Sequence, residues 1–307
     1  MHYLIFIVAL LGLLMAANFF TRSAENIGVY LRLPAFVVGV FIVGIGTSLP
    51  ELITGIISVS GNSSEILTGN IIGANISNIL LITGLAAVIN RKSIVMSSGY
   101  MYIDLHFLVG GFLFFYIIGY DGKITTAEAL FGLVMFIVYA VYLIRGEAEK
   151  EKGTRPARPP FPARAVIVLL MSAVAIYFGA EYTIASLEKI AADLSIPKSI
   201  VALTLLSLGT TLPELAVNIT AIRQGKAEMA IGNVLGSCVF NTLVIPSLSS
   251  LFGTISITPN LLSFSLPMMA ACGVLFYLLT QDKRISPWEG LMFICLYGLF
   301  IFKTATN

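Results

Sequence analysis

An all-α integral membrane protein, with ten transmembrane helices in two inverted-topology five-helix repeats, is the fold this sequence predicts. Three observations carry that expectation. The 307 residues are 57% hydrophobic and only 11% charged, with a mean hydropathy of +0.94, far from the composition of a water-soluble domain. Ten apolar runs have about the length that crosses a bilayer, about 20 residues each. One short acidic motif also occurs twice, at matched positions in the two halves of the chain.

The runs fall at residues 3–20, 34–60, 66–89, 101–119, 126–144, 164–183, 197–222, 228–252, 262–280 and 288–303. The first is short enough to resemble a secretory signal, with Ala16-Ala17 as a cleavage site. No basic segment precedes it, however, and it has a counterpart in the second half, so it reads as a retained span. Connections are short except for residues 145–164, which are charged, rich in proline and unable to bury anything. They read as a linker between a first repeat, residues 1–144, and a second, residues 165–307.

The repeat can be tested by register. Pro50 and Pro213 stand 163 residues apart, and the same offset relates Ser23 to Ser186, Glu25 to Glu188, Pro34 to Pro197, Glu65 to Glu228, Gly69-Asn70 to Gly232-Asn233, Gly73 to Gly236 and Asn78 to Asn241. A gap-free register from Ser23 to Asn78 is hard to obtain from composition, so the halves read as an internal duplication. Five spans per half is an odd number, which sends the second copy into the membrane in the opposite direction. Placing the N-terminus outside puts every Lys and Arg except Lys123, Lys189, Lys198 and Lys303 on the cytoplasmic side. The positive-inside rule therefore predicts a multi-pass cell-membrane protein with a cytoplasmic central linker.

The chemistry gathers at Gly46-Thr47-Ser48-Leu49-Pro50-Glu51 and its copy Gly209-Thr210-Thr211-Leu212-Pro213-Glu214. A carboxyl group at membrane depth costs several kcal/mol by most scales, so one in each half is read as functional. Pro50 donates no backbone hydrogen bond and disfavours helix in the residue before it, while Gly44 and Gly46 ease unwinding. The helix is expected to break between Gly44 and Pro50, and freed carbonyls at that depth need a neighbouring helix or a bound ion. Thr47 and Ser48 share a helix face with Glu51, as Thr210 and Thr211 do with Glu214.

In the next span of each half, Gly69 and Gly73, and Gly232 and Gly236, are expected to allow a close helix approach. Asn78 and Asn241 lie further along and serve either as amide ligands or as bridges between helices. Asn70 and Asn233 read as caps or bridges, and Glu65 and Glu228 as dipole partners at helix starts. The aromatic residues at 112–116 read as lipid-facing bulk, and Asp121-Gly122 as a turn. The oxygen-only donor set suits hard cations such as Ca²⁺ or Na⁺. The only histidines, His2 and His106, lie outside the repeated motifs.

Other functions fit less well. The basic residues are scattered, so no nucleic-acid face forms. Cys238, Cys272 and Cys295 lie in apolar runs without a CxxC spacing, which argues against disulfides and thiolate metal sites. No nucleophile and base are paired at membrane depth, so an enzyme is not expected. A channel usually draws a continuous path from symmetric subunits, whereas paired halves around one acidic site favour a transporter.

The two acidic motifs, each followed by Gly-Asn-x-x-Gly-x-x-x-x-Asn, resemble the two α-repeats of the sodium/calcium exchangers in the calcium:cation antiporter superfamily, and the prokaryotic two-repeat members in particular. The resemblance implies a secondary active antiporter that exchanges Na⁺ for Ca²⁺ by alternating access at four central cation sites, the first and sixth helices sliding across the core. It assigns Glu51 and Glu214 to the Ca²⁺ site with Thr47 and Thr210. It puts the carbonyls of Gly44 and Ser207, with Ser48, Thr211 and Ser237, in flanking Na⁺ sites. It implies no cofactor, Ca²⁺, Na⁺ and membrane lipid as partners, and function as a monomer.

Two positions depart from the family pattern. Ala74 stands where many members carry a serine that matches Ser237 of the other half, and Asn241 stands where relatives often carry aspartate, which makes a K⁺ requirement less expected. With two carboxylates the core has a formal charge of −2, compatible with 3:1 exchange. The alternative within the fold is H⁺/Ca²⁺ antiport, against which the many hydroxyl groups favour Na⁺.

Overall fold

The computed structural model describes residues 2–96, 101–150, 160–193 and 211–306. Helix α1 (His2–Leu31) ends where Arg32 turns left-handed at φ 58° and the Leu33 amide donates back to the Gly28 carbonyl at 2.9 Å, a Schellman-type stop that Pro34 makes final. The next span is broken. It runs as α2 (Ala35–Val38), a π-helical turn (Gly39–Gly44) and α3 (Ile45–Thr47), stops at Ser48 and resumes as α4 (Leu49–Ser60), with a bend of 41°. The expected break between Gly44 and Pro50 is thus present. Pro50 cannot donate to the Gly46 carbonyl four residues back, so the backbone bends at the turn that loses this bond.

The third span is α5 (Ser64–Ile76), a π-helical turn (Ser77–Ile82) and α6 (Thr83–Asn90). Then come α7 (Met101–Ile118), α8 (Thr126–Lys150), α9 (Ala163–Asp193), α10 (Leu212–Arg223), α11 (Ala227–Ser249), α12 (Leu266–Leu279) and α13 (Pro287–Thr306). Glu65 and Glu228 lie in the first turns of α5 and α11 as expected, and Gly122 turns at φ 85° beside Asp121, whose carboxylate accepts from the Lys123 amide at 3.0 Å.

Among the described residues six helices are long and apolar enough to cross a membrane, seven if the bent pair α2–α4 is one span. The expected ten are not all of that length. The described apolar stretch of α7 is shorter, and only Leu212–Arg223 of the run at 197–222 forms a described helix.

Two short antiparallel pairs tie the halves together. Strand β1 (Ile94–Val95), after α6, pairs with β4 (Arg284–Ile285), between α12 and α13. Strand β2 (Lys123–Ile124), between α7 and α8, pairs with β3 (Ile255–Ser256), after α11.

Apolar burial forms two clusters. The larger joins α2, α5–α8 and α11–α13. It includes Phe112 and Phe115, buried at 1% and 0% exposure, which corrects their expected lipid-facing placement. The 112–116 run has no helical period that would mark its inner face, and Phe112 packs against Gly273 of α12. The smaller cluster couples α1 to α9 through Leu13, Ala17, Phe20, Ile176 and Ala180. The two helices approach closely, since a Cβ on Gly179 would lie 3.1 Å from the Leu13 Cα.

Candidate cation-binding site

Small residues bring the broken helix onto α11. A Cβ on Gly39 would fall 2.2 Å from the Met229 carbonyl oxygen, one on Gly232 2.2 Å from the Phe36 carbonyl oxygen, and one on Gly236 2.4 Å from the Val40 carbonyl oxygen. Only glycine permits backbones this near. The close approach expected at Gly232 and Gly236 is therefore present. At Gly69 and Gly73 it is not seen among the described residues, where an added Cβ meets only Leu261 at 3.8 Å or nothing within 4 Å.

This contact carries the Gly44 carbonyl to the polar face of α11. Four oxygens then form a ring. The Thr47 hydroxyl lies 3.4 Å from the Gly44 carbonyl and 3.3 Å from Asn233 Oδ1, while the Ser237 hydroxyl lies 3.3 Å from that carbonyl and 3.4 Å from the same Asn233 oxygen. Hydroxyl hydrogen bonds favour about 2.7–2.8 Å, so all four edges are long. Oxygens held 2.3–2.6 Å from a hard cation and at right angles to each other lie about 3.3–3.7 Å apart. The ring has the spacing of a coordination shell.

Two carboxyl groups stand beside it. Glu51, in the first turn of α4, and Glu214, in the first turn of α10, are 4% and 2% exposed. Glu214 neighbours Glu51 and the hydroxyls of Thr47 and Ser48. Hydrogen-bonding capacity is left over at the same place. Glu51 Oε2, both Glu214 carboxylate oxygens, Ser48 Oγ, both polar atoms of the Asn78 amide and Asn241 Oδ1 are buried without a hydrogen-bond partner among the described residues. Buried polar atoms are nearly always satisfied, so such a concentration marks groups arranged for something other than one another.

Of the residues expected at the site, Gly44, Thr47, Ser48, Glu51, Asn78, Thr211, Glu214, Ser237 and Asn241 are all buried. Thr211 holds the N-cap position of α10, one turn before Glu214. Asn78 sits in the π-helical turn of the third span, next to Cys238 of α11. Ser207 and Thr210 lie outside the described residues. Asn233 is expected from sequence to cap or bridge helices rather than to bind an ion. It does bridge them, and it also supplies a ring oxygen, a role hinted at only by its match to Asn70 in the register. Asn75, which no sequence signal singled out, donates to the Thr242 hydroxyl at 3.2 Å and fixes α5 against α11 beside Asn78.

A cavity of about 340 Å³ reaches Glu51 and Pro213 from the side of α9. The assembly is a buried, oxygen-rich cage with two carboxylates and a cavity leading to it. Chemically it can take up hard cations, stripping water as they enter.

Comparison with known proteins agrees with this reading. The sodium/calcium exchanger protein family model matches residues 1–145 and 164–304. The chain is 30% identical to the sodium/calcium exchanger MaX1 of Methanosarcina acetivorans, over 98% of this chain and 97% of that one. It is 26% identical to the inner membrane protein YrbG of Escherichia coli, over 96% and 93% of the two chains. Its fold matches the solved structure of the sodium-calcium exchanger NCX_Mj with a TM-score of 0.84 at 26% identity, covering 99% of this chain and 98% of that one. With a multi-pass helical fold, two buried carboxyl groups at its centre and a family match along nearly its whole length, the chain belongs to the sodium/calcium exchanger family of membrane transporters.

Proposed function

We propose that this exchanger is a secondary active antiporter that exchanges Na⁺ for Ca²⁺ across the membrane by alternating access at Glu51 and Glu214. The observation that carries the reading is the oxygen ring of Gly44, Thr47, Asn233 and Ser237 next to two buried carboxylates with three oxygens unpartnered among the described residues. One Ca²⁺ neutralises the pair. Na⁺ ions in the ring and beside the carboxylates compete for the same oxygens, so the two cargoes exclude each other. Three Na⁺ against two carboxylates leave one positive charge, which suits electrogenic 3:1 exchange. The ligand assignments for Ser48, Thr211, Asn78 and Asn241, and for Ser207 and Thr210, belong to this proposal. The relatives named as sodium/calcium exchangers support Na⁺ over H⁺ as the coupling ion.

The proposed architecture is ten spans in two inverted repeats, residues 1–144 and 165–307. The N-terminus is outside, the linker at 145–164 is cytoplasmic, and one chain is the functional unit. The strand pairs support it. Strand β1, after the third span of one half, pairs with β4, between the fourth and fifth of the other, while β2 and β3 make the same pairing with the halves exchanged. Such reciprocal pairs arise when one half is inverted. The packing of α1 on α9, in a cluster apart from the main core that also takes in Val38, Val43, Val217 and Met229, suits a pair of helices that slides as a unit.

The test is flux in vesicles containing purified protein. An outward Na⁺ gradient is expected to drive Ca²⁺ uptake, and Glu51→Gln or Glu214→Gln to abolish it. Uptake driven by a pH jump in Na⁺-free buffer would instead assign H⁺ coupling.

A further inference from the structure

Glu181 is a further acidic residue inside an apolar span, in addition to Glu51, Glu214 and the buried Asp104 of α7, and lies on the α9 segment Ala163–Leu187. Its side chain is exposed and, with those of Thr54 and Asn70, makes no hydrogen bond or ion pair among the described residues. An ionisable group at that depth normally faces a partner or a water-filled cavity. Glu181 faces the cavity, whose wall also includes Tyr177 one turn earlier on α9 and Thr54 one turn after Pro50 on α4. At the inner end lies Glu51, only 4% exposed, with a carboxylate oxygen that has no partner.

We propose that Glu181 and Thr54 form a vestibular site that holds a partly hydrated divalent cation before it reaches Glu51. The proposal rests on the antiport reading of Glu51 and Glu214. About 340 Å³ is room for an ion with several of its waters, and Ca²⁺ accepts a flexible mixture of carboxylate, hydroxyl and water oxygens. The acid is also one-sided. The register of 163 matches Glu181 to Asn18 on α1, whose side chain is already engaged, accepting from Gln224 Nε2 at 2.9 Å. Duplication therefore does not require a carboxylate here, and the asymmetry confers attraction for cations on the side to which this cavity opens. One step removes hydration at Glu181 and a second at Glu51, so the full dehydration cost is not met in a single barrier.

The experiment measures Ca²⁺ dependence of Na⁺-driven exchange for Glu181→Gln, Glu181→Asp and Glu181→Lys in vesicles. Glu181→Gln is expected to raise the half-saturating Ca²⁺ concentration about fivefold, with a smaller change in maximal rate, the size expected for one charge acting on a divalent ion through water. Glu181→Asp should stay near wild type and Glu181→Lys should exceed the Gln effect, with all differences shrinking as ionic strength rises. Independently of transport, Tb³⁺ excited through Tyr177 should luminesce in Glu214→Gln and lose that signal when Glu181→Gln is added. An unchanged half-saturating concentration in Glu181→Gln, with wild type active and Glu51→Gln dead, overturns the vestibular site alone. A wild type inactive under every gradient overturns the antiport reading, and the Tb³⁺ signal then still reports on the vestibule.

Discussion

Gly39 and Gly232 are packed so closely that a Cβ on either would collide with the other helix's backbone, at 2.2 Å from the Met229 and Phe36 carbonyl oxygens respectively. This contact sets the height of the Gly44 carbonyl over α11. Gly232→Ala should therefore do two things. Overpacking costs about 1–3 kcal/mol of stability, read as a lower melting temperature in detergent. The ring oxygens also move apart, so the half-saturating Na⁺ concentration should rise more than that for Ca²⁺.

Ser237→Ala removes one corner of the ring without adding bulk. Losing one well-placed oxygen costs about 1–3 kcal/mol, or about tenfold per 1.4 kcal/mol in affinity. Na⁺ titration of exchange should show the loss, and Asn233→Ala should match it. An Asn233→Ala protein with ordinary Na⁺ dependence would reduce Asn233 to a purely structural bridge.

Ala74 invites the opposite change. The register of 163 sets it against Ser237, and it is buried at 3% exposure in α5. Ala74→Ser is expected to add a hydroxyl to the site and to lower the half-saturating Na⁺ concentration several-fold, with a steeper dependence on Na⁺. A Na⁺ titration in the same vesicles reads both parameters.

The carboxylates should reveal themselves in stability as well as flux. A cation that binds the folded protein raises its melting temperature by mass action, about 2.7 kcal/mol at one hundred times its dissociation constant. Ca²⁺ should thus stabilise the wild type, and in Glu51→Gln or Glu214→Gln that shift should disappear while the ion-free protein melts no lower. Scanning fluorimetry with and without Ca²⁺ measures the difference. A variant that melts lower in both conditions would point to misfolding instead.

What could be read in the sequence followed from backbone chemistry acting over a few residues. Pro50 and two glycines located the broken span because their effect on helix geometry is local, and Glu51 and Glu214 stood out because a carboxyl group is costly wherever lipid surrounds it. Tertiary facts were less visible. Asn233 becomes a ring member only because Gly39 and Gly232 bring Thr47 to it, and an isolated Asn carries no mark of that. Phe112 and Phe115 sit in an all-apolar run with no periodicity to separate inner from outer face. The strands at Ile94–Val95 and Ile255–Ser256 are two residues each, too short to leave an alternating pattern.

Those four short strands have a mechanical consequence. At Ile94 and Ile285, and again at Ile124 and Ile255, a loop of one half is stitched to a loop of the other. The stitched parts make a frame clamped at two places, and α1 and α9, like the broken span α2–α4 and α10, have no described strand next to them. They lean on the frame through a modest cluster of small and aliphatic side chains. In the proposed exchange cycle, α1 and α9 would then move like a sash while the stitched helices α5–α8 and α11–α13 act as the frame.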